Sequence, residues 1–373
     1  MCAAPLKILY IAGELTAGGY QRQLHLFLSQ LDREKISPVL AVWNYNEQQA
    51  FVDDFKQLKI PLYSVGRLGG RYQRQRNLNG IVRTVRPQYM HSFTFYTNFP
   101  AWLAAKTLGL DGVIGSFRNN YWSEIRDVGP LFGRLCARYP SQMIANSKAA
   151  GEAVHNHQTF FRPDQVWIVS NCVDTVTYCP DNNHGKDKIN SQVKLLGVGR
   201  LTASKRWEWL LSLLKDLNKS SLMPDWHLTL CGEGEEYANI ETQIHALKLE
   251  NQVTLAGYQK NMSDWYGKSD LLILPSLHEG TPNVVAEALS CGIPVISTDV
   301  GDVRELVRDG VDGYIVDLND DQGFKQRILE LMLKPDLRNL MGKNGRKWML
   351  KTRSAHCLLE NTMNVYREAG WKI

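Results

Sequence analysis

Short apolar runs recur along the first half of the chain and are separated by longer amphipathic stretches. We predict strands at 7–12, 39–43, 62–65, 89–93, 112–117, 143–145 and 166–169. Segments such as 21–31 and 78–85 have the spacing of apolar residues that is typical of amphipathic helices. Because strands that alternate with helices usually pair in parallel through crossover connections, the pattern predicts a doubly wound α/β domain.

A second alternating series follows the polar, turn-rich segment 180–192, which we interpret as a linker between domains. Its predicted strands are 194–198, 227–231, 252–256, 271–274, 294–297 and 314–316. We therefore expect two Rossmann-like domains, 1–179 and 193–355, that face each other across a cleft, with the terminal helix of 356–373 joined to the first. Ligands of such sheets bind beyond the carboxyl ends of the strands, and pockets favour domain interfaces.

The composition is that of an ordinary globular protein: 373 residues, 44% hydrophobic and 22% charged. No apolar run approaches the roughly 18 residues that a membrane-spanning helix needs. The N-terminus fits a first strand better than a signal peptide. Seven cysteines without a Cys-x-x-Cys pair indicate reduced thiols in a cytoplasmic protein and argue against a structural zinc site.

Positive charge is concentrated in the first half of the chain. Residues 1–180 contain 19 Lys and Arg against 12 Asp and Glu, and the remainder contains 24 against 26. Much of the excess lies at Arg67, Arg71, Arg74, Arg76, Arg83 and Arg86. Two interpretations stay open: a solvated helix face, or a surface for an anionic acceptor or for peripheral association with the inner face of a membrane. Nucleic acid is disfavoured, because no recognition helix or zinc module is present.

The stretch 275–300 is the most informative part of the chain, since it combines a strand end, a loop, a helix and a second strand. We predict that Thr281 caps the helix and that Pro282 is its first residue. Gly292 suits the left-handed conformation at the helix end. Glu279 in the loop and Glu287 in the helix can face the same crevice, where the helix N-terminus favours an anion.

Two other strand ends carry residues suited to a phosphate ligand. After the first strand, Gly18 and Gly19 allow either a tight turn or the close approach of a ligand. They do not form the Gly-x-Gly-x-x-Gly fingerprint, which lowers the expectation of a nicotinamide enzyme. In the second half, Arg200 and Lys205 follow a strand and could both reach a diphosphate.

Gly232 and His91 also end predicted strands. Gly232 fits either a turn that lines the crevice or a simple strand-to-helix connection. His91 fits either a functional role or a structural histidine with both nitrogens satisfied. We find no Ser-His-Asp order and no metal-ligand spacing in the sequence.

Taken together, these motifs resemble the retaining glycosyltransferases of family four, which have the two-domain GT-B fold. The resemblance spans nearly the whole chain and is carried by Gly18-Gly19 with Arg22, Asn146-Ser147, Asn171-Cys172-Val173-Asp174, Gly199-Arg200-Leu201 with Lys205, Glu279-Gly280-Thr281-Pro282 through Glu287, Gly292-x-Pro294-Val295, and Gly301 to Leu306 with Gly313. The last three features together are quite specific, whereas any one of them alone would not be.

The resemblance implies that the second domain holds a nucleotide-sugar donor. Arg200 and Lys205 would neutralise the diphosphate, and the helix N-terminus would add backbone donors. Glu287 would accept hydrogen bonds from the ribose, and Glu279 would bind hydroxyls of the transferred sugar. Further donor-binding positions are Gly18, Gly19, Gly232, Gly280, Thr281, Pro282 and Asn283. The family needs no metal for this step, and the chain has no Asp-x-Asp motif.

Two positions depart from the family pattern. Cys172 replaces a frequent glycine, which we expect to alter only a turn. Many members place a histidine where this chain has Arg118, at the end of the fifth predicted strand. We therefore hold Arg118 and His91, beside Glu279, as candidates for catalytic groups.

The expected function is a retaining, metal-independent, hexosyltransferase-type glycosyltransferase without a cofactor. Its donor would be a nucleotide sugar, with UDP favoured over GDP. Its acceptor would be a glycan or a lipid-linked precursor in polysaccharide or glycoconjugate synthesis. A GT-B nucleotide-sugar epimerase and a non-catalytic sugar-nucleotide-binding subunit remain alternatives.

Overall fold

The chain folds around two parallel β-sheets that have no strand in common. The structure is a computed structural model that describes residues 4–16, 18–66, 69–118, 121–155, 160–181, 192–218 and 224–373. Two units separate by their internal contacts: Met1–Cys172 with Ala355–Ile373, and Val173–Ser354. Most of the predicted linker, residues 182–191, lies outside the described residues, so the predicted domain limits stay a prediction.

The first unit contains a seven-stranded sheet in the order β3-β2-β1-β4-β5-β6-β7. Its strands are β1 (Leu6–Ala12), β2 (Ile36–Val42), β3 (Leu62–Ser64), β4 (Tyr89–Ser92), β5 (Val113–Phe117), β6 (Gln142–Ala145) and β7 (Gln165–Ile168). Its helices up to the second unit are α1 (Gly19–Ser29), α2 (Val52–Gln57), α3 (Arg71–Val85), α4 (Asn98–Lys106), α5 (Tyr121–Asp127), α6 (Pro130–Arg138) and α7 (Lys148–His155).

The central strand β1 explains why the first apolar run is continuous rather than alternating. It pairs in parallel with β2, starting at Leu6 opposite Ile36, and with β4, starting at Ile8 opposite Tyr89. Residues 8–12 are fully buried. A strand that is covered by helices on both faces has no polar side, and this is the pattern that the sequence shows.

The second unit contains a six-stranded sheet in the order β10-β9-β8-β11-β12-β13. Its strands are β8 (Val193–Val198), β9 (Trp226–Cys231), β10 (Val253–Gly257), β11 (Leu271–Leu274), β12 (Val295–Thr298) and β13 (Gly313–Val316). Its helices are α8 (Trp207–Leu217), α9 (Tyr237–Ala246), α10 (Met262–Gly267), α11 (Asn283–Ser290), α12 (Val303–Leu306), α13 (Asp321–Leu333) and α14 (Pro335–Thr352).

Every strand pairing in the described residues is parallel, and in each sheet the strand order reverses direction once, which confirms the predicted doubly wound α/β class. The last helix, α15 (Ala355–Glu368), packs in the first unit. Tyr366 of α15 and the following Trp371 stack on each other with ring centroids 4.1 Å apart, and both are buried. No helix in the part of the chain that the structure describes combines the length and the apolar character needed to cross a membrane.

Helix α14 packs so closely on the turn that follows α11 that one glycine of α14 has no room for a side chain. A Cβ at Gly342 would lie 1.9 Å from the carbonyl oxygen of Gly292, and 3.5 Å from Cδ of Pro294. The contact therefore depends on the absence of a side chain at this position, because backbone cannot yield as the end of a flexible side chain can.

We expect Gly342→Ala to destabilise the second unit by roughly 1–3 kcal/mol, since the added methyl group forces α14 away from the turn that follows α11. Calorimetric unfolding of the full chain measures this. Gly80→Ala is the matched control: Gly80 is exposed within α3 and a Cβ there meets nothing within 4 Å. That change should be neutral or stabilise by up to about 1 kcal/mol. An unchanged unfolding profile for Gly342→Ala would contradict the packing.

Candidate functional site

In the second unit, the loops after β8 and β11 meet where the strand order of the sheet reverses. The two strands are neighbours in the sheet, and the connections that follow them run to opposite sides. In doubly wound sheets this switch point, at the carboxyl ends of the strands, is the usual place for a ligand. The loop after β8 carries Arg200 and Lys205, and the loop after β11 carries Glu279.

The turn after β8 is held against the turn after β9 by backbone alone. The Gly199 amide donates to the Cys231 carbonyl over 3.0 Å. Gly199 and Gly232 have φ angles of +154° and +153°, and a Cβ at Gly232 would lie 1.9 Å from the carbonyl oxygen of Gly199. Glycine is required here both by conformation and by space, so Gly232 belongs to a tight turn beside the Arg200 loop.

An ion pair joins the loops after β8 and β11. The Lys205 ammonium contacts Glu279 Oε1, and both side chains are largely buried, at 16% and 13% exposed. Ser276 Oγ donates to the same carboxylate oxygen over 2.6 Å, and the Leu277 amide donates to the Ser204 carbonyl over 2.8 Å. The family resemblance implies that Lys205 and Glu279 bind different parts of a donor. The structure shows that the two side chains also contact each other.

The start of α11 differs from the prediction by one residue. The helix begins at Asn283, and Pro282 occupies the N-cap position without a side-chain cap. Thr281 was wrongly predicted as the cap, because its hydroxyl donates to Asp302 Oδ2 over 2.5 Å instead. The Asp302 amide in turn donates to the Gly280 carbonyl over 2.9 Å, which fixes the loop ahead of the helix.

Glu287 lies within α11 and is 7% exposed. The hydroxyl of the fully buried Tyr266 donates to Glu287 Oε2 over 2.9 Å. Burial, and then the Glu287 carboxylate, raises the pKa of Tyr266 well above its ordinary value. Tyr266 therefore stays protonated and remains a donor, which stabilises a charged acceptor at Glu287.

In the first unit, the loop after β1 is closed by its own side chains. The Tyr20 hydroxyl donates to the Glu14 carbonyl over 2.6 Å and accepts from the Glu14 amide over 2.9 Å. Gly18 precedes α1 in an extended conformation that any residue can adopt, and Gly19 is the first residue of α1. Their assignment to donor binding stays a prediction, and the φ angle of Gly18 does not itself require glycine.

His91 lies one residue before the end of β4, and both of its ring nitrogens are engaged. Nδ1 lies 2.6 Å from the Tyr366 hydroxyl, Nε2 lies 3.2 Å from Ser116 Oγ, and the residue is 1% exposed. Burial, and then the Arg118 charge, lowers the pKa of His91 well below its ordinary value. These contacts favour the structural alternative that the sequence left open.

Arg118 follows β5 and is partly buried. Its Nε donates to the Phe93 carbonyl over 3.1 Å, and its guanidinium lies 4.7 Å from the centre of the Phe93 ring. Burial lowers the pKa of Arg118 to about 10, which leaves it charged at neutral pH. Arg118 is thus a fixed cation beside the β4 and β5 ends, as a candidate electrostatic group should be.

Sequence reasoning missed three residues that shape these sites: Ser276, Tyr266 and Asp302. Each acts on a predicted residue through a hydrogen bond, to Glu279, Glu287 and Thr281 respectively. Ser276 lies within the stretch that the sequence singled out, so its distance of three residues from Glu279 was an available signal. The other two partners are each 21 residues away in sequence, and no local pattern indicates them.

Part of the chain matches the model of a known protein family. Residues 181–348 match the family model of the glycosyl transferases group 1. The matched segment lies within the second unit. The matched segment contains Arg200, Lys205, Glu279 and Glu287, and the resemblance inferred from the motifs is confirmed to this extent.

Relatives and solved structures extend the comparison. The chain is 29% identical over 197 residues to the UDP-Gal:alpha-D-GlcNAc-diphosphoundecaprenol alpha-1,3-galactosyltransferase of Escherichia coli, an alignment that covers 51% of this chain and 50% of that protein. It is 28% identical over 186 residues to the lipopolysaccharide core biosynthesis glycosyltransferase LpsE of Rhizobium meliloti, covering 50% and 53% respectively. The chain thus spans about half the length of these curated relatives.

The crystal structure of Anabaena HepE in complex with UDP superimposes with a TM-score of 0.79 over 97% of this chain and 100% of that one, at 18% identity. This similarity supports the GT-B fold, and at such low identity the fold is all that it shows. The GT-B fold has two Rossmann-like domains, and the two doubly wound sheets described above agree with it.

The neutral, buried state of His91 makes the stability of the first unit depend on pH. His91 binds fewer protons in the folded chain than in the unfolded chain, so its stabilising contribution is present above pH 6.5 and is lost as pH falls below that value. Between pH 7.5 and 5.5 we therefore expect the free energy of unfolding to fall, by on the order of 1 kcal/mol from this residue.

Unfolding of the full chain, compared between wild type and His91→Gln at the two pH values, measures this loss. All other ionisable groups are common to the two proteins, so their contributions cancel in the difference. We expect the variant to have lower stability at pH 7.5 and a shallower pH dependence. Identical pH dependence in the two proteins would show that His91 is not held neutral.

Proposed function

We propose that the chain is a glycosyltransferase that moves a hexosyl group from a nucleotide-diphosphate sugar to a glycan or lipid-linked acceptor. The observation that carries the proposal is the meeting of Arg200, Lys205, Glu279 and the start of α11 at the switch point of the second sheet. Two cations, a carboxylate and a helix N-terminus in one place suit a ligand that is anionic at one end and rich in hydroxyls at the other.

The diphosphate would be bound by Arg200, by Lys205 and by backbone amides at the start of α11. Arg200 is exposed, and its carbonyl accepts from Trp207 Nε1 over 3.1 Å, which anchors its backbone. Lys205 already contacts Glu279, but an ammonium has three donors. It can therefore hold a phosphate oxygen and the carboxylate together, which would link the leaving group to the sugar site.

The two carboxylates would divide the rest of the donor between them. Glu287, in α11, would accept hydrogen bonds from the ribose hydroxyls. Glu279, in the loop, would orient the hydroxyls of the transferred sugar beside the diphosphate. The charge that develops on the leaving diphosphate would be stabilised by fixed cations and backbone dipoles, so the reaction needs no metal or cofactor in this proposal. Transfer would proceed with retention, as the family resemblance implies.

UDP is the favoured nucleotide, because the Anabaena structure with the same fold was solved with UDP. For the acceptor, the names of the two relatives point to cell-envelope glycans, one of them linked to diphosphoundecaprenol. A polysaccharide or glycoconjugate precursor attached to a lipid is therefore the acceptor class that we propose. Such an acceptor would place the protein in the cytoplasm, at the inner face of the membrane.

The basic residues of the first unit give this placement partial support. Arg76, Arg83 and Arg86 are exposed on α3 and at its end, and could face an anionic acceptor or membrane. Arg74 instead donates to Asn44 Oδ1 over 2.8 Å and Arg71 to the Val128 carbonyl over 3.0 Å, so part of the run serves the fold. Arg67 lies outside the described residues.

Two alternative functions would give different results when the nucleotide sugar is assayed without an acceptor. An epimerase would convert the nucleotide sugar when no acceptor is present, which product analysis of such a reaction reveals. A non-catalytic subunit would bind the nucleotide sugar without hydrolysing or transferring it. The presence of Arg200, Lys205 and Glu279 on two loops that meet favours an enzyme over a non-catalytic subunit.

We expect Glu279→Ala and Arg200→Ala each to reduce sugar transfer by roughly a hundredfold or more, because each removes a charge directed at the reacting part of the donor. Transfer from a panel of UDP- and GDP-sugars, with lipid-linked acceptors, measures the loss. Glu241→Ala, at an exposed position of α9 in the same unit, is the matched control and should retain activity. Wild-type turnover in either site variant, with the fold intact, would contradict the assignment.

We also expect transfer to continue at an unchanged rate after extensive treatment with EDTA, because fixed cations would replace a metal at the diphosphate. In the residues that the structure describes, no group of three or more His, Cys, Asp or Glu side chains could hold a metal ion. Assays with and without added Mg²⁺ or Mn²⁺ measure the dependence. Activity that is lost with the chelator and restored by either ion would contradict the metal-independent mechanism.

A further inference from the structure

The first unit contains a cavity of about 600 Å³ at the amino ends of β4, β5 and β6. Tyr89, Val113 and Gln142, the first residues of these strands, line it. The end of α4 contributes Trp102 and Lys106. We call this space the amino-end cavity. It lies at the opposite ends of the strands from His91 and Arg118, so it is separate from the strand ends where ligands of this fold class are expected.

Two pairs of stacked aromatic rings lie in the wall of the cavity, which is otherwise mainly polar. Trp102 and Tyr139 stack with centroids 4.3 Å apart, and Tyr89 and Trp371 stack at 4.5 Å with their planes 10° apart. Trp102, Tyr139 and Tyr89 are partly exposed. Flat rings that are fixed by stacking present an apolar surface at little cost in side-chain entropy.

The charged groups around the cavity neutralise one another. Lys106 Nζ lies 2.7 Å from Asp111 Oδ1, and Arg138 lies 3.2 Å from the Asp164 carboxylate. All four residues line the cavity. Its cations are therefore paired with carboxylates, which disfavours a phosphate ligand and leaves a balanced set of donors and acceptors. Such a set suits a neutral ligand that carries hydroxyl groups.

One buried donor at the cavity lacks a partner. Trp371 is 3% exposed, and within the described residues its indole Nε1 makes no hydrogen bond. The atom lies 3.3 Å from the position that a Cβ of Gly112 would occupy, and Gly112 also lines the cavity. An unsatisfied buried N–H costs roughly 1–3 kcal/mol, so a ligand oxygen that reached this atom would be stabilised.

We propose that the amino-end cavity binds a sugar unit of a neutral glycan. A pyranose ring has an apolar C–H face, which fits the stacked aromatic rings, and a rim of hydroxyls, which fits the paired charges and the Trp371 N–H. A cavity of this volume accommodates one or two such rings. The site is distinct from the donor site, and the proposal holds whether or not the chain transfers sugar.

Saturation-transfer NMR on the full chain tests the proposal, with the methyl glycosides of glucose, galactose, N-acetylglucosamine and mannose as probes. Saturating UDP is added to occupy the proposed donor site. We expect at least one glycoside to bind with UDP present. Its affinity should fall roughly tenfold in Trp102→Ala, which removes an aromatic ring from the wall of the cavity. It should fall roughly two- to tenfold in Trp371→Phe, which keeps a ring but removes the N–H.

Tyr72→Ala is the matched control, because Tyr72 is 83% exposed on α3 of the same unit and does not line the cavity. Its affinity for the glycosides should equal that of the wild type. If Trp102→Ala unfolds, Asp164→Asn at the rim replaces it, since that side chain is 66% exposed. It should also weaken binding.

Three results would overturn the proposal. One is the absence of saturable binding by any glycoside up to roughly 100 mM. Another is binding that neither tryptophan variant changes, which would place the sugar elsewhere. The third is displacement of the glycosides by inorganic phosphate or UMP, which would identify an anion site. Because each measurement is a direct binding measurement, failure of the glycosyltransferase proposal would leave these results unaffected.

Discussion

The largely buried ion pair between Lys205 and Glu279 is the interaction on which the candidate site of the second unit depends. It joins loops that leave adjacent strands in opposite directions, and each partner would be costly to keep at this depth without the other. Ser276 adds a hydroxyl donor to Glu279, and the Ser276 carbonyl accepts from Thr298 Oγ1 over 2.6 Å. The carboxylate is thus connected through Ser276 to β12, and its position follows from the strands rather than from loop conformation.

Close backbone contacts complete the same arrangement. Gly232 allows the turn after β9 to touch the turn after β8, and Gly301, with φ of +53°, allows the loop after β12 to touch the loop after β11. A Cβ at Gly301 would lie 2.2 Å from the Gly280 carbonyl oxygen. Four strand ends are therefore in contact without intervening side chains. The backbone of these loops is therefore fixed, while side chains that project from it, such as Arg200, remain exposed to a ligand.

The sequence predicted the sheets well because parallel strands are buried on both faces and appear as unbroken apolar runs, as residues 271–274 do. It predicted that Arg200, Lys205 and Glu279 lie in strand-end loops, because ligand-binding residues of a doubly wound sheet follow the carboxyl ends of its strands. It failed where a partner is distant in sequence. Thr281 has the chemistry of a helix cap, yet Asp302 takes its hydroxyl. The pairing of His91 with Tyr366 spans 275 residues, and no periodicity contains that information.

In the first unit, His91 and Arg118 lie at the carboxyl ends of β4 and β5. His91 is held neutral between Tyr366 and Ser116, and the charge of Arg118 reinforces that state, because a protonated imidazole would bring a second positive charge close to a partly buried cation. Arg118 keeps its charge at the ends of β4 and β5, where the buried Glu124 carboxylate lies near it, and its guanidinium is oriented by the ring and carbonyl of Phe93. Both ring nitrogens of His91 are engaged, whereas the guanidinium of Arg118 keeps its charge. If the chain is a transferase, as proposed, this difference favours Arg118 over His91 as the residue of the first unit that would act on an anionic acceptor or donor.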